Sequence, residues 1–121
     1  MLQTIKEGRY SFRLNIENTM TKRYINKQHL SWIHNQRCIV DDAKCKSPLQ
    51  AHHLLKPFDG IKGMGRKSND KNLVPLCLFH HTELHRMGSE YKFSEKYFGN
   101  TESLKVLAQQ FWLKSPHYES N

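Results

Sequence analysis

The chain is poor in the materials of disulfides, membrane anchors and large cores. Its 121 residues include three cysteines, Cys38, Cys45 and Cys77. An odd number cannot pair off within one chain, so a closed disulfide framework is excluded and metal ligation is the better use of the thiols. No run approaches the roughly 18 to 20 apolar residues of a membrane span, and residues 1–10 lack the apolar stretch of a secretory signal. The expectation is a soluble cytoplasmic protein with no membrane partner. Apolar residues make up 37% of the chain, enough for one modest core, and a core of that size usually needs a staple. Internal repeats and low-complexity tracts are absent as well.

Acid is also in short supply. Nineteen Lys and Arg face eleven Asp and Glu, a formal net charge of +8. Such a surplus favours a polyanion, because neutralising phosphates releases condensed counterions, and nucleic acid is the expected partner. The surplus is uneven. Residues 1–37 carry seven cations against two acids and residues 38–71 seven against four, whereas residues 72–121 balance at five and five. The basic face is expected in the first two thirds.

What is plentiful is histidine, eight in all, five of which (His52, His53, His80, His81 and His85) fall in two tight groups. Around them the pattern predicts an α+β chain. Residues 10–16 alternate as a short strand would, within an N-terminal segment 1–19 of unassigned role. Tyr24, Ile25, His29, Trp32 and Ile33 recur at helical steps and predict an amphipathic helix over 21–36. Residues 49–55 suit a strand, and 59–70, with Gly60, Gly63 and Gly65 among cations, a surface loop. Residues 73–76 read as an edge strand because of Pro75. A helix over 77–87 follows, with Gly88 as its C′ residue. The aromatics Tyr91, Phe93, Tyr97 and Phe98 lead to Gly99. Thr101 is the expected cap of a last helix that turns Leu104, Leu107, Ala108, Phe111 and Trp112 inward. The domain is bounded at 20–115 with its centre at 38–88, and residues 116–121 are expected to fray.

Two constellations carry chemistry. Cys77 and His80, two residues apart, have the short chelating step of a zinc knuckle, and Cys38 with Cys45 supplies a wider pair. A Cys3His set closed around Zn2+ is a fold staple. Asp41, three residues after Cys38, is a rival fourth ligand to Cys45, although thiolate is the better partner for zinc. In the second constellation His81 and His85 stand one helical turn apart on one face and can grip one cation. His80 points roughly 100° away from His81, so one helix can serve two metals. His52 and His53 face opposite ways in an extended strand, although a twist or bulge can bring both to one pocket edge. One can bind metal while the other moves a proton. A neutral imidazole can take a proton from water, and a divalent cation can stabilise charge on phosphate, which are the two needs of phosphodiester hydrolysis.

The order His52-His53, Asn72, Cys77-x-x-His80-His81 resembles the HNH nuclease signature. The resemblance implies a ββα-metal finger with a structural zinc knuckle, flanked by N- and C-terminal helices. It also implies His53 as general base, His52 and His81 as ligands of a catalytic Mg2+ or another divalent cation (Mn2+, Ni2+ or Zn2+), and Asn72 as the residue that holds the finger loop and so orients the base. His85 as a further ligand is similar to colicin-type DNases. Gly63-Met64-Gly65-x-Lys67-x-x-Asp70 and Pro75-Leu-Cys77-x-x-His-His-x-x-Leu-His85 also resemble the phage RecA-dependent nucleases and related prophage HNH proteins, over about residues 24–90. Where those relatives have C-x-x-C, this chain has Asp41. Dependence on a recombinase is not carried over. The expected function is metal-dependent DNA cleavage, in a bacterial host cell if the origin is phage, with Lys62, Arg66 and Lys67 on flanking phosphates. The alternative is a non-catalytic zinc module that binds nucleic acid.

Overall fold

The computed structural model describes residues 23–63 and 65–120. Among them stand four helices and a two-stranded sheet, an α+β arrangement: α1 (Lys27–His34), β1 (Leu49–His53), β2 (Leu73–Cys77), α2 (Leu78–Met87), α3 (Glu90–Phe98) and α4 (Ser103–Lys114). No described helix is long and apolar enough to cross a membrane. The strand expected over 10–16 lies outside the described residues.

The strands pair antiparallel, with His52 opposite Val74 and His53 opposite Leu73. Every residue of β2 is buried, including Pro75. The Pro75 carbonyl accepts from Ile39 N (3.0 Å) rather than from β1. A residue's N–H and C=O point to the same side of an antiparallel strand, so the missing N–H of Pro75 falls outside the ladder and no rung is lost. The chain then turns directly from β2 into α2. The Cys77 side chain caps that helix by accepting from His80 N, and Gly88, in the left-handed conformation at φ 69°, ends it as expected.

Local capping chemistry sets three boundaries differently from the apolar spacing. α1 is shorter than 21–36. Asn26 is extended and its side chain accepts from His29 N, so Tyr24 and Ile25 belong to an extended strap before the helix. α3 was not anticipated. Ser89 caps it by accepting from Lys92 N and Gly99 ends it at φ 72°. The capping serine was legible, but short aromatic-rich stretches do not separate helix from loop by periodicity alone. Thr101 does not cap α4. Glu102 stands at that position without a side-chain cap bond, and its amide donates to Asn100 Oδ1 (2.7 Å).

Leu54, Val74, Leu76, Leu84, Phe93, Leu104 and Ala108 form one core with Cys38 and Cys77, so sheet and helices share a single apolar centre. Residues 116–120 do not hang free as expected. Tyr118 packs on Trp112 at 5.1 Å between ring centroids, and the His117 carbonyl accepts from Asn26 Nδ2 (3.0 Å). An aromatic contact and a hydrogen bond to the strap before α1 hold the segment.

His29 is fully buried. Its ring lies edge-on to Trp112 (4.9 Å) and stacked on Trp32 (5.7 Å), and neither ring nitrogen has a hydrogen-bond partner. Burial pushes its pKa down to about 4, against the pull of Asp70 and with the push of His117. A histidine held neutral by the fold contributes stability above its unfolded pKa near 6.5 that is lost as pH falls toward 4. Full protonation would cost on the order of 3 kcal/mol. His29→Phe keeps the ring contacts and removes the unpartnered nitrogens. We expect this variant to match the parent's thermal midpoint at pH 7 and to exceed it at pH 4.5, as read by circular dichroism melts at both pH values.

Candidate metal centres

Cys38, Cys45, Cys77 and His80 bring one donor atom each to within 4.8 Å of one another. His80 Nδ1 stands 3.1 Å from Cys77 Sγ, 3.6 Å from Cys45 Sγ and 3.7 Å from Cys38 Sγ. Tetrahedral corners at ordinary zinc–sulfur and zinc–nitrogen lengths would lie about 3.6 Å apart, so the four donors fit a metal ion such as zinc. Burial pushes the Cys45 thiol up to about 12, with the neighbouring Cys77 and Cys38 thiols adding to it. Burial also opposes ionisation of Cys77, but the amides of His80 and Lys46 outweigh it and hold this thiol at about 6.

Asp41 is not the fourth donor. It takes a left-handed φ of 49° and pairs outward with Arg37 (3.2 Å), leaving the corner to Cys45. The carboxylate beside the cluster is that of Asp42, which spacing did not single out. Its Oδ1 lies 3.2 Å from His80 Nε2. The ring N–H is not aligned to donate, so the contact is electrostatic proximity rather than a hydrogen bond. Asp42 Oδ1 also accepts from Lys44 N, and its carbonyl accepts from Cys45 N (3.1 Å), a turn that presents Cys45 inward.

The second cluster joins β1 to α2. His52 Nδ1 and His85 Nε2 each lie 3.1 Å from His81 Nε2. Imidazole nitrogens about 2.0 to 2.1 Å from one cation would stand about 2.9 Å apart at right angles and 3.4 Å apart at tetrahedral corners, so this set also fits a metal. The two inner rings are held in the required tautomer from behind. His52 Nε2 donates to Glu90 Oε2 (2.7 Å) and His81 Nδ1 to Gln50 Oε1 (2.6 Å), which leaves the lone pairs of both rings on the converging side. Gln50 and His52, two apart on β1, share the face toward α2. Glu90 also accepts from the amides of Leu55 (2.6 Å) and Lys56 (2.9 Å). Burial works against its charge, but His52 and these amides hold the carboxyl below its ordinary pKa. Burial, then the charges of His52 and His85, lower His81 to about 4, so its ring is neutral at physiological pH.

His53, one residue along β1, faces the other way, and its Nε2 donates to Asp70 Oδ1 (2.8 Å). Asn72 is fully buried and ties the loop to the sheet. Its Oδ1 accepts from Phe58 N (2.7 Å) and Asp59 N (3.2 Å), and its Nδ2 donates to Asp59 O (2.9 Å). The loop so held returns beside the histidines. Lys62, Arg66 and Lys67 line an open cleft of about 440 Å³ together with His52, His53, His81 and His85.

The family model described as protein of unknown function (DUF968) matches residues 15–111. The chain belongs to this family. It is similar to "Uncharacterized protein YdfU" of Escherichia coli (strain K12), at 34% identity over 95 residues, 72% of this chain and 26% of the relative. The chain thus spans about a quarter of that relative's length. No solved structure matches.

On this DUF968 chain the Cys3His donors and the His81–His85 pair expected from spacing come together as two groups, and His52, the ligand that the resemblance implied, joins the second. The outer carboxylates and amides were not anticipated: Asp42, Gln50, Asp70 and Glu90. Gln50 stood at the i−2 position of a ligand strand, the one local signal available. Glu90 and Asp70 reach the site only through tertiary folding. Cys77→Ser removes a metal donor but leaves a hydroxyl oxygen that can still cap α2, so its effect isolates the thiolate. Because metal binding and folding are one equilibrium in a small domain, we expect loss of bound zinc by elemental analysis and a thermal midpoint lower by 10 °C or more, on the order of 2 kcal/mol or more. A zinc-free variant with unchanged melting would show that the cluster is no staple.

Proposed function

We propose that this chain is a metal-dependent DNA endonuclease of the HNH kind, with β1, β2 and α2 as its ββα-metal finger. The observation that carries the reading is the convergence of His52 Nδ1, His81 Nε2 and His85 Nε2 beside His53, in one cleft walled by Lys62, Arg66 and Lys67. A zinc-binding module needs the Cys3His cluster but has no use for this second set.

In the proposed reaction His53 takes a proton from water through Nδ1, the nitrogen opposite the one that donates to Asp70. The hydroxide attacks phosphorus, and the bond from phosphorus to one bridging oxygen breaks. His52, His81 and His85 would hold a divalent cation, an all-imidazole set suiting Zn2+ or Ni2+ better than Mg2+, and its chemistry there would be stabilisation of charge on the phosphate and the departing oxygen. Asn72 is a positioning residue. It fixes the loop on which the cationic wall is built and keeps β1 and β2 in register behind His53. Glu90 and Gln50 orient the His52 and His81 rings as donors, and the Cys3His cluster would hold zinc as a structural staple.

A plasmid-nicking assay tests the reading. We expect relaxation of supercoiled DNA that requires an added divalent cation, with Mg2+, Mn2+, Ni2+ and Zn2+ each supplied in turn, and its loss by at least a hundredfold in His53→Ala, with zinc content at the Cys3His cluster and DNA affinity nearly unchanged. Cleavage near the parental rate in that variant would remove His53 from the base role.

The loop makes a separate prediction. Its cations act on phosphates through a salt-sensitive, sequence-independent attraction. Neutralising Lys62, Arg66 and Lys67 together should weaken binding to every duplex tested and flatten the slope of log affinity against log salt by about 2 to 3. Cleavage at saturating DNA should change less than affinity. An unchanged slope in fluorescence anisotropy titrations would place the DNA path elsewhere, with the seven cations of residues 1–37 the next candidates.

A further inference from the structure

Asp70 is 3% exposed and its two oxygens are divided between two tasks. Oδ1 accepts from His53 Nε2 (2.8 Å) and from Arg23 (3.2 Å). Oδ2 accepts from Asn26 N (2.9 Å). The strap over residues 23–26 closes around it, since Asp70 N donates to Tyr24 O (3.0 Å) and Arg23 also donates to Ser68 O (3.2 Å). Both oxygens of one buried carboxylate are therefore filled, Oδ2 by the strap amide of Asn26 and Oδ1 by Arg23 together with the ring at the end of β1.

We infer that Asp70 is the positioning residue of His53, and that residues 23–26 hold Asp70 in place for that task. The inference rests on the reading of His53 as the base. Nε2 must carry the ring proton to donate to Asp70, which puts the lone pair on Nδ1. The carboxylate thus fixes both the tautomer and the rotation of the ring about its Cβ–Cγ bond, without itself touching substrate. Anchoring the strap does not require this: Oδ2 and Arg23 suffice for it, and the ring contact is additional.

An amide cannot replace the carboxylate here. In Asp70→Asn the single oxygen can serve Asn26 N, leaving an NH2 group facing His53 Nε2. It can instead serve His53, leaving NH2 against the Asn26 N–H. The first arrangement keeps the Asn26 contact, gives up the one from Arg23, and forces the ring proton to Nδ1, which removes the lone pair from the reacting side. The variant is nearly the same size, so a purely structural role for Asp70 would predict a parental kcat in the folded variant even where the tautomer changes.

The experiment joins nitrogen-15 imidazole spectra of the zinc-loaded protein with cleavage kinetics. In the parent, His53 is expected to carry its proton on Nε2. In Asp70→Asn the proton is expected on Nδ1, with kcat lower by about a hundredfold or more, KM and DNA affinity within about twofold, and zinc content unchanged. Parental His53 protonated on Nδ1 would overturn the inference, and so would a folded Asp70→Asn protein with parental kcat. Should Asp70→Asn fail to fold, the parental spectrum alone decides. The two readings fail separately. Full cleavage by His53→Ala removes the base itself, whereas an inactive His53→Ala beside a fully active Asp70→Asn removes only the role of Asp70.

Discussion

The Cys77 sulfur is where the rest of this structure is fixed. It accepts from the His80 amide, so α2 begins there and nowhere else, and it stands 3.1 Å from His80 Nδ1 as one corner of the Cys3His cluster. Where a helix begins sets the direction of every side chain after it, each successive residue turned by roughly 100°. His80 is therefore directed toward the thiols, while His81 and His85 are directed toward His52. Filling the first cluster with a metal would hold the helix start, and with it the geometry of the second. A chain with so small a core uses one atom for both purposes.

The donors themselves were legible in the sequence because their signals are local. Cys77 and His80 lie within one turn, as do His81 and His85, and a strand makes His52 and His53 diverge whatever surrounds it. The three cations of the glycine-rich loop could also be placed from order along the chain, whereas Asn72 was singled out only by the resemblance to the HNH signature. The α+β class followed from strand, loop, strand and helix in sequence. What sequence could not supply is the set of acceptors that arrive from a distance. Glu90 comes from the first turn of α3 to meet His52 on β1, 38 residues away, and Asp70 comes from the loop end to meet His53. Nothing in the immediate neighbourhood of either acid advertises such a partner.

Boundaries misled for a related reason. Tyr24 and Ile25 fit the apolar step of α1, yet Asn26 starts that helix by bonding His29 N, and the strap before it is drawn to Asp70 instead. Thr101 has the right chemistry for a cap, but the Leu104 amide it would serve donates to Ser94 Oγ (3.3 Å). In both places a side-chain-to-backbone bond overrode the boundary that the pattern suggested. Asp41 is the same lesson in the metal cluster. Its identity as an oxygen donor was suitable, and its backbone conformation and Arg37 turned it outward.

A small two-stranded sheet with open edges invites strand addition from a second molecule, the first step of aggregation. The outer edge of β2 is closed to it. At its middle the one carbonyl that an incoming strand would seek is already bonded to Ile39 N, and Pro75 offers no N–H in return. A residue that looks like a weakness in a strand thus bars a third strand from the β2 side of the sheet.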